Sequence, residues 1–303
     1  MTETPWGPLP VADAHVHFFS QRFFAALAAQ KQIPVEEVAA ILGWKLPPAE
    51  PESLADAWVA ELDRHGVERA ALIASVPGDE DSTIAATRRF PDRFFAYAMV
   101  NPCAEGVRER VARALDSGHL RGLCFFPAMH RYSIQDERAV ALVELLAARR
   151  GVAFVHCGVL TVGVRRKLGL PSDFDLRFSN PVDLHAVALR HPEVRFVIPH
   201  FGAGYLREAL MVADLCPNVY LDTSSSNSWM RYEMESSDLR PVFQRALAVV
   251  GPSRLLFGTD SSFFPRGWHR QIFELQTRAL YEIGMTAADA RLVLHDNLVH
   301  LFS

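Results

Sequence analysis

The sequence lacks several features that define common classes of protein. It has four cysteines in 303 residues and no CxxC pair, so we expect reduced thiols rather than a disulfide framework or a structural zinc site. No apolar run approaches the length of about 18 residues that marks a transmembrane helix. Lys and Arg, 31 in all, are outnumbered by 35 Asp and Glu and form no basic stripe. Nucleic acid and an anionic membrane are therefore not expected as partners.

Two further absences narrow the fold and the location. The segment MTETPWGPLP has neither a basic nor an apolar stretch, so we expect no signal peptide and a cytoplasmic protein. No glycine-rich turn follows the first predicted strand, which argues against a doubly wound open sheet, the main alternative fold. Hydrophobic residues make up 50% of the chain, enough for a large core. The length suits one α/β barrel domain over residues 1–303.

Apolar runs and amphipathic segments alternate along the whole chain. Several runs, such as RAALIASV, are apolar at nearly every position, which is typical of strands buried on both faces of a parallel sheet. Eight repeats of strand and helix predict a (β/α)8 TIM barrel. The predicted strands lie near 10–17, 69–76, 94–100, 121–126, 152–157, 195–200, 218–223 and 254–259.

A helical insertion separates the first strand from the first barrel helix. Residues 18–52 are predicted to form two short helices, near 20–30 and 34–43, followed by a proline-rich return. The insertion leaves from the carboxyl end of the first strand, where barrel enzymes hold their active sites. We expect it to be a lid over the site or the interface of a homodimer, with a surface decoration as the alternative.

Four histidines and one aspartate lie at the carboxyl ends of predicted strands: His15, His17, His156, His200 and Asp260. In a barrel these ends form one rim, so residues far apart in sequence would meet there. Imidazoles and a carboxylate suit a catalytic divalent metal with an open coordination position. The remaining eight of the twelve histidines lie in predicted helices, turns or loops, and only His130 among them is kept open as a rim residue.

The pair His15 and His17 carries most of the metal prediction. Residues two apart on a strand share a face, here the barrel interior, where two imidazoles are costly unless a metal binds them. His156 and His200 could each be core residues by themselves, and Asp260 could be a turn residue. Together they suggest a metal that activates water, with His200 or Asp260 moving the proton. Cys157 should point away from them, towards the helices.

Four motifs of the chain resemble those of a known family. The motifs DAHVH, VHCG, PHFG and LFGTD, in this order, resemble the amidohydrolase superfamily, specifically the amidohydrolase-related branch that includes aminocarboxymuconate semialdehyde decarboxylase. The resemblance implies a TIM barrel in which His15, His17, His156 and Asp260 bind one metal, zinc most often and manganese in some members. It also implies that His200 is the acid/base.

One departure from the family pattern concerns the number of metals. Members with two metals carry a carbamylated lysine at the end of strand four, where this chain reads RGLCFFP with Cys124 at the corresponding position. The resemblance therefore implies a site for one metal ion.

The reaction remains open at the level of sequence. We favour a hydrolase of an ester, lactone or amide bond in a small organic substrate. The alternatives are a nonoxidative decarboxylase of an aromatic or unsaturated acid, and a barrel with a merely structural metal. A decarboxylase needs a cation for the carboxylate, and five arginines fall near the rim: Arg131, Arg165, Arg166, Arg207 and Arg266. Six aromatic residues suggest an apolar pocket wall: Phe18, Phe19, Trp44, Phe263, Phe264 and Trp268.

Overall fold

The computed structural model of the chain describes residues 1–224, 228–232 and 238–303. Eight strands in the described part form one parallel sheet, preceded by a short antiparallel hairpin of β1 (Thr2–Thr4) and β2 (Gly7–Leu9) that the sequence did not predict. The sheet strands are β3 (Ala12–Phe18), β4 (Arg69–Ala74), β5 (Phe94–Val100), β6 (Gly122–Phe125), β7 (Val152–Val155), β8 (Arg195–Ile198), β9 (Val219–Asp222) and β10 (Leu255–Leu256). All eight lie at the predicted positions.

The sheet closes into a barrel. Each strand from β3 to β10 pairs with the next one in sequence. The first and last strands then meet, because the Ala14 amide donates to the Phe257 carbonyl at 2.8 Å and Val16 forms a parallel bridge with Ser261. The (β/α)8 TIM barrel is therefore confirmed, and its closure brings the two ends of the predicted site together.

Helices cover the outside of the barrel and fill the loops at its rim. Their bounds in the described residues are α1 (Gln21–Lys31), α2 (Val35–Leu42), α3 (Pro51–Arg64), α4 (Glu80–Arg89), α5 (Val107–Asp116), α6 (Pro127–His130), α7 (Glu137–Ala147), α8 (Gly163–Lys167), α9 (Val182–Arg190), α10 (Leu206–Leu215), α11 (Leu239–Val250), α12 (Arg270–Glu282), α13 (Ala287–Arg291) and α14 (Asn297–Leu301). None of them is long and apolar enough to cross a membrane.

Apolar side chains pack in two layers, one inside the barrel and one between the strands and the helices. Along β3, the residues that face each layer change from one half of the strand to the other. Ala12 and Ala14 pack inside the barrel, whereas Val16 and Phe18 pack outside, against the helices. The register with β4 shifts between Asp13 and Val16, which marks an irregularity of the bulge type. The shift turns His15, and with it the odd-numbered residues that follow, towards the interior.

The insertion forms the two predicted helices. α1 is capped by Ser20, whose hydroxyl accepts from the Arg22 amide, and α2 follows after a short turn. Their apolar faces form a separate cluster with Val164 of the rim helix α8 and with Leu168, the residue that follows it. The insertion is therefore packed on the carboxyl-terminal side of the barrel, where the predicted site lies.

Candidate metal centre

The barrel places the five predicted residues at one rim. His15 and His17 lie near the end of β3, and His156 directly follows β7. His200 lies in a tight turn after β8, and Asp260 follows β10 by four residues. Both of these last residues have positive φ, 55° and 58°, a conformation that a non-glycine residue keeps only where the surrounding structure imposes it.

Three of the five residues bring their ligand atoms together. The Nε2 atoms of His15 and His17 are 3.4 Å apart. Asp260 Oδ1 lies 3.2 Å from His17 Nε2 and 3.7 Å from His15 Nε2. Among the described residues these atoms form a group that could hold a metal ion, all within 4.8 Å of one another.

The hydrogen bonds on the far side of each ring fit a metal at this place. His15 Nδ1 donates to Asp222 Oδ2 at 2.7 Å. His17 Nδ1 lies 2.6 Å from Ser75 Oγ, which itself donates to the Ile73 carbonyl and must therefore accept from the ring. With Nδ1 of each neutral ring occupied as a donor, both Nε2 lone pairs face the Asp260 carboxylate. Three acceptors without a proton between them form a site for a cation.

The charges around the site favour the same arrangement. Burial opposes a charged His15, but the buried Asp222 carboxylate outweighs it and raises the pKa of His15, which makes the ring a stronger ligand. Burial lowers the pKa of His17 against the attraction of Asp260. Burial would raise the pKa of Asp260, yet contact with His17 and the nearby imidazoles of His15 and His200 hold it below its usual range.

His156 lies beside the group of three but is not part of it. Its ring is buried, stacks on Phe126 at 5.2 Å between centroids and meets the His200 ring at 5.5 Å. Its Nδ1 is buried and has no hydrogen-bond partner in the structure. Burial, followed by His200 and His15, lowers the pKa of His156 well below its usual range. A neutral ring with an unpartnered nitrogen suits a ligand, and its assignment as the fourth one stays a prediction.

His200 lies next to His15 and His156. Its ring centroid lies 5.0 Å from that of His15. Its Nδ1 donates to the Ser224 carbonyl at 2.8 Å, so its Nε2 carries a lone pair when the ring is neutral. Burial, and then the charge of His15, lowers the pKa of His200, which favours that neutral form.

The residues that orient the ligands were not predicted from the sequence. Asp222, the last residue of β9, is fully buried and binds both His15 Nδ1 and the Ser224 amide. The Ser224 hydroxyl lies within 2.8 Å of His15 Nδ1 and 3.1 Å of His200 Nδ1. Burial raises the pKa of Asp13 to about 6, against hydrogen bonds from Thr259 and neighbouring groups. The one available signal was the position of Asp222 at the end of the run VYLD.

Three aromatic rings form a row that leads away from the metal ligands. Phe19 stacks on His17 with centroids 5.4 Å apart, Trp44 lies 5.7 Å from Phe19, and Phe263 lies 4.1 Å from Trp44 in a nearly parallel plane. Phe19 and Phe263 also line a mostly apolar cavity of about 200 Å³ between the insertion and α3. We call Phe19, Trp44 and Phe263 the aromatic row.

The other three predicted wall residues have different surroundings. Phe18 belongs to the outer layer because it alternates with His17 along β3. Trp268 is buried and donates its indole N–H to Asp13 at 2.7 Å. Phe264 packs on Trp58 and lines only the cavity. The prediction that all six form the pocket wall is therefore wrong for Phe18 and Trp268.

Of the five candidate arginines, Arg266 contacts a predicted ligand. Its Nη2 donates to the Asp260 carbonyl at 3.2 Å and to Ser262 Oγ at 2.9 Å, and its guanidinium lies 4.5 Å from the Phe263 ring centroid. Arg131 and Arg165 bind backbone carbonyls of the loop after α8. Arg207 pairs with its neighbour Glu208, and Arg166 is exposed.

Two cysteines and one histidine complete the comparison with the sequence. Cys124 packs inside the barrel, and no lysine lies among the described residues of this interior layer. Cys157 packs in the outer layer, as predicted, and burial raises the pKa of its thiol. His130 ends the rim helix α6, and burial lowers its pKa to about 4.

The fold agrees with comparisons to known proteins. The model of the amidohydrolase family matches residues 12–302, so the chain belongs to that family. This membership confirms the resemblance inferred from the four motifs. A stretch of 94 residues is 38% identical to the protein fluG of Emericella nidulans. That stretch spans 31% of this chain and 10% of fluG.

Solved structures share the whole fold at low sequence identity. An amidohydrolase from Burkholderia multivorans with bound zinc has a TM-score of 0.65 and 18% identity, covering 97% of this chain and 99% of that one. The 5-carboxyvanillate decarboxylase of Sphingomonas paucimobilis has a TM-score of 0.65 and 14% identity, with the same coverage. The chain thus belongs to the amidohydrolase family and shares its fold with a zinc-bound amidohydrolase and with a decarboxylase.

Proposed function

We propose that the protein is a metal-dependent hydrolase of an ester, lactone or amide bond in a small organic substrate. The observation that carries the proposal is the hydrogen bond from His200 Nδ1 to the Ser224 carbonyl. A carbonyl can only accept, so the proton of the neutral ring sits on Nδ1 and Nε2 is left as a proton acceptor. A base beside a metal centre is what the attack of water on a carbonyl requires.

His15, His17 and Asp260, with His156 as the predicted fourth ligand, would hold the metal. A divalent cation there, zinc most readily and manganese as the alternative, would lower the pKa of a bound water and polarise a substrate oxygen. His200 accepts the proton of the attacking water at Nε2 and can return it to the leaving group. Asp260, ionised because its pKa is low, holds its place in the ligand set and orients the water.

The same hydrogen bond weighs against decarboxylation. Release of CO2 from an aromatic or unsaturated acid requires a proton donor for the carbon atom that loses the carboxylate. A neutral His200 has its one N–H bound to the Ser224 carbonyl, so it would have to take up a proton at Nε2 before it could serve as that donor. The second candidate, a nonoxidative decarboxylase, is favoured by Arg266, since a guanidinium beside Asp260 could hold a substrate carboxylate.

The aromatic row indicates where the body of the substrate would lie. Its rings lead from His17 to Phe263, over which the Arg266 guanidinium is placed. We infer that a planar or apolar substrate lies along this row, with its reacting carbonyl next to His15, His17 and Asp260. An anionic group on the substrate would then face Arg266.

The experiment is a substrate panel on enzyme loaded with Zn²⁺ or Mn²⁺ after removal of metals by a chelator. Lactones, aryl esters and amides are followed by acid release, and aromatic and unsaturated acids by CO2 release. Hydrolysis in H2¹⁸O places one ¹⁸O in the product acid, whereas decarboxylation in D2O places one deuterium on carbon. Turnover of the first kind, lost in His200→Asn, supports the proposal. Release of CO2 with carbon deuteration overturns it in favour of the decarboxylase.

A further inference from the structure

The carboxylate of Asp13 collects four hydrogen bonds in the interior. Asp13 has 0% exposure. Its Oδ1 accepts from the backbone amides of His15 at 2.9 Å and Thr259 at 3.1 Å. Its Oδ2 accepts from Thr259 Oγ1 at 2.5 Å and from Trp268 Nε1 at 2.7 Å. One side chain therefore links β3 to the segment after β10 and to Trp268, which precedes α12.

These bonds hold the chain on both sides of Asp260. Thr259, before it, is bound to Asp13 through both its amide and its hydroxyl. Ser261, after it, accepts the His17 amide at its carbonyl at 2.7 Å. The Ser261 hydroxyl bonds Thr259 Oγ1 at 2.6 Å and accepts from the His269 amide at 2.9 Å. The residues directly before and after Asp260 are thus held in place by hydrogen bonds.

Asp260 needs such anchors because its own backbone is in the left-handed region, with φ of 58°. This conformation costs a non-glycine residue about 1–3 kcal/mol and persists only when neighbouring contacts impose it. The two histidine ligands differ, since they belong to a strand that is paired with β4. Loss of the Asp13 contacts should therefore disturb Asp260 more than His15 or His17.

We propose that Asp13 is a positioning residue that fixes the Asp260 carboxylate relative to His15 and His17 through Thr259. The inference rests on the proposed metal centre but not on the reaction that the enzyme performs. Residues that orient metal ligands typically contribute about 10–100-fold to metal affinity. A role limited to general stability would change the melting temperature without a specific effect on the metal.

The test compares three variants in Zn²⁺ affinity, measured by chelator competition, and in melting temperature without metal. In Asp13→Asn one carboxylate oxygen becomes an NH2 donor. The two groups that donated to that oxygen then lose their acceptor. Thr259→Val removes the hydroxyl that links Asp13 to the chain before Asp260. Trp268→Phe is the matched control, because it removes one Asp13 hydrogen bond that does not involve Thr259.

We expect Zn²⁺ affinity about 10–100-fold weaker in Asp13→Asn, clearly weaker in Thr259→Val, and within about 3-fold of wild type in Trp268→Phe. The absorption spectrum of the Co²⁺-substituted protein should change in the first two variants only. Wild-type affinity in Thr259→Val, or equal losses in all three variants that follow melting temperature, overturns the proposal. Because Thr259→Val keeps the buried carboxylate, it decides the matter even if Asp13→Asn fails to fold. Failure of the wild type to bind Zn²⁺ would refute the metal centre itself.

Discussion

Asp222→Asn perturbs the candidate metal centre without touching any ligand atom. Asp222 uses both oxygens, one to accept from His15 Nδ1 and the other to accept from the Ser224 amide. An asparagine has one acceptor oxygen and one NH2 group in the same shape. The backbone N–H of Ser224 can only donate, so the asparagine oxygen stays next to Ser224. The asparagine NH2 group then faces His15 Nδ1.

The consequence is a change of tautomer. Facing an NH2 donor, His15 must offer Nδ1 as an acceptor and carry its proton on Nε2, towards the metal. Metal binding then requires the tautomer of His15 with its proton on Nδ1. In that tautomer the ring N–H and the asparagine NH2 group, both donors, point at each other in a fully buried place. An unsatisfied buried donor costs about 1–3 kcal/mol. A tenfold change in affinity is about 1.4 kcal/mol, so we expect metal affinity to fall roughly 5- to 150-fold.

The assay is chelator competition for Zn²⁺ on wild type, Asp222→Asn and the control Asp183→Asn. Asp183 also accepts from a hydroxyl and an amide, those of Ser133 and Gln135. It lies on α9, and neither of these partners is a site residue. We expect the control to bind Zn²⁺ as wild type does. Equal Zn²⁺ affinity in wild type and Asp222→Asn would refute the tautomer argument.

Three further results are expected. His200→Asn should keep its metal but lose turnover about 10²–10⁴-fold, the usual contribution of a positioned acid or base, so an empty site in this variant would place His200 among the ligands. Trp44→Ala should raise KM more than it lowers kcat, because it breaks the aromatic row; a shift from dimer to monomer at unchanged KM would indicate an interface instead. His130, with its pKa lowered to about 4 by burial, should destabilise the fold as pH falls from about 6.5 to 4, because only the unfolded chain takes up the proton. Over that pH range, the unfolding free energy of His130→Gln should therefore fall by up to about 3 kcal/mol less than that of the wild type. Parallel pH profiles of the two unfolding free energies would contradict this.

The residues at strand ends could be predicted because the barrel obeys a simple rule. A polar residue that follows a continuous apolar run lies at the rim, whatever its distance in sequence from the others. His15, His17 and Asp260 meet for this reason, although 245 positions separate the first from the last. The insertion helices were predictable for another reason, since each has its own apolar pattern and turn residues.

The orienting residues could not be predicted from the same rule. Asp222 ends a strand of only four residues, and nothing in VYLD tells whether the side chain points into the barrel. The irregularity between Asp13 and Val16 changes which face each residue of β3 occupies, and a strict alternation does not anticipate it. His156 lies beside the three converging ligands but outside the group that they form. Its assignment as fourth ligand therefore remains a prediction.

Metal content measured together with one ligand variant tests the central claim most directly. Elemental analysis of the protein purified without added metal should give about one divalent ion per chain, with zinc as the expected element. His17→Ala, which removes one of the three converging ligand atoms, should fall well below that value while keeping its fold. A stoichiometry near two, full activity without metal, or full occupancy in His17→Ala would contradict a single metal centre built on His15, His17 and Asp260.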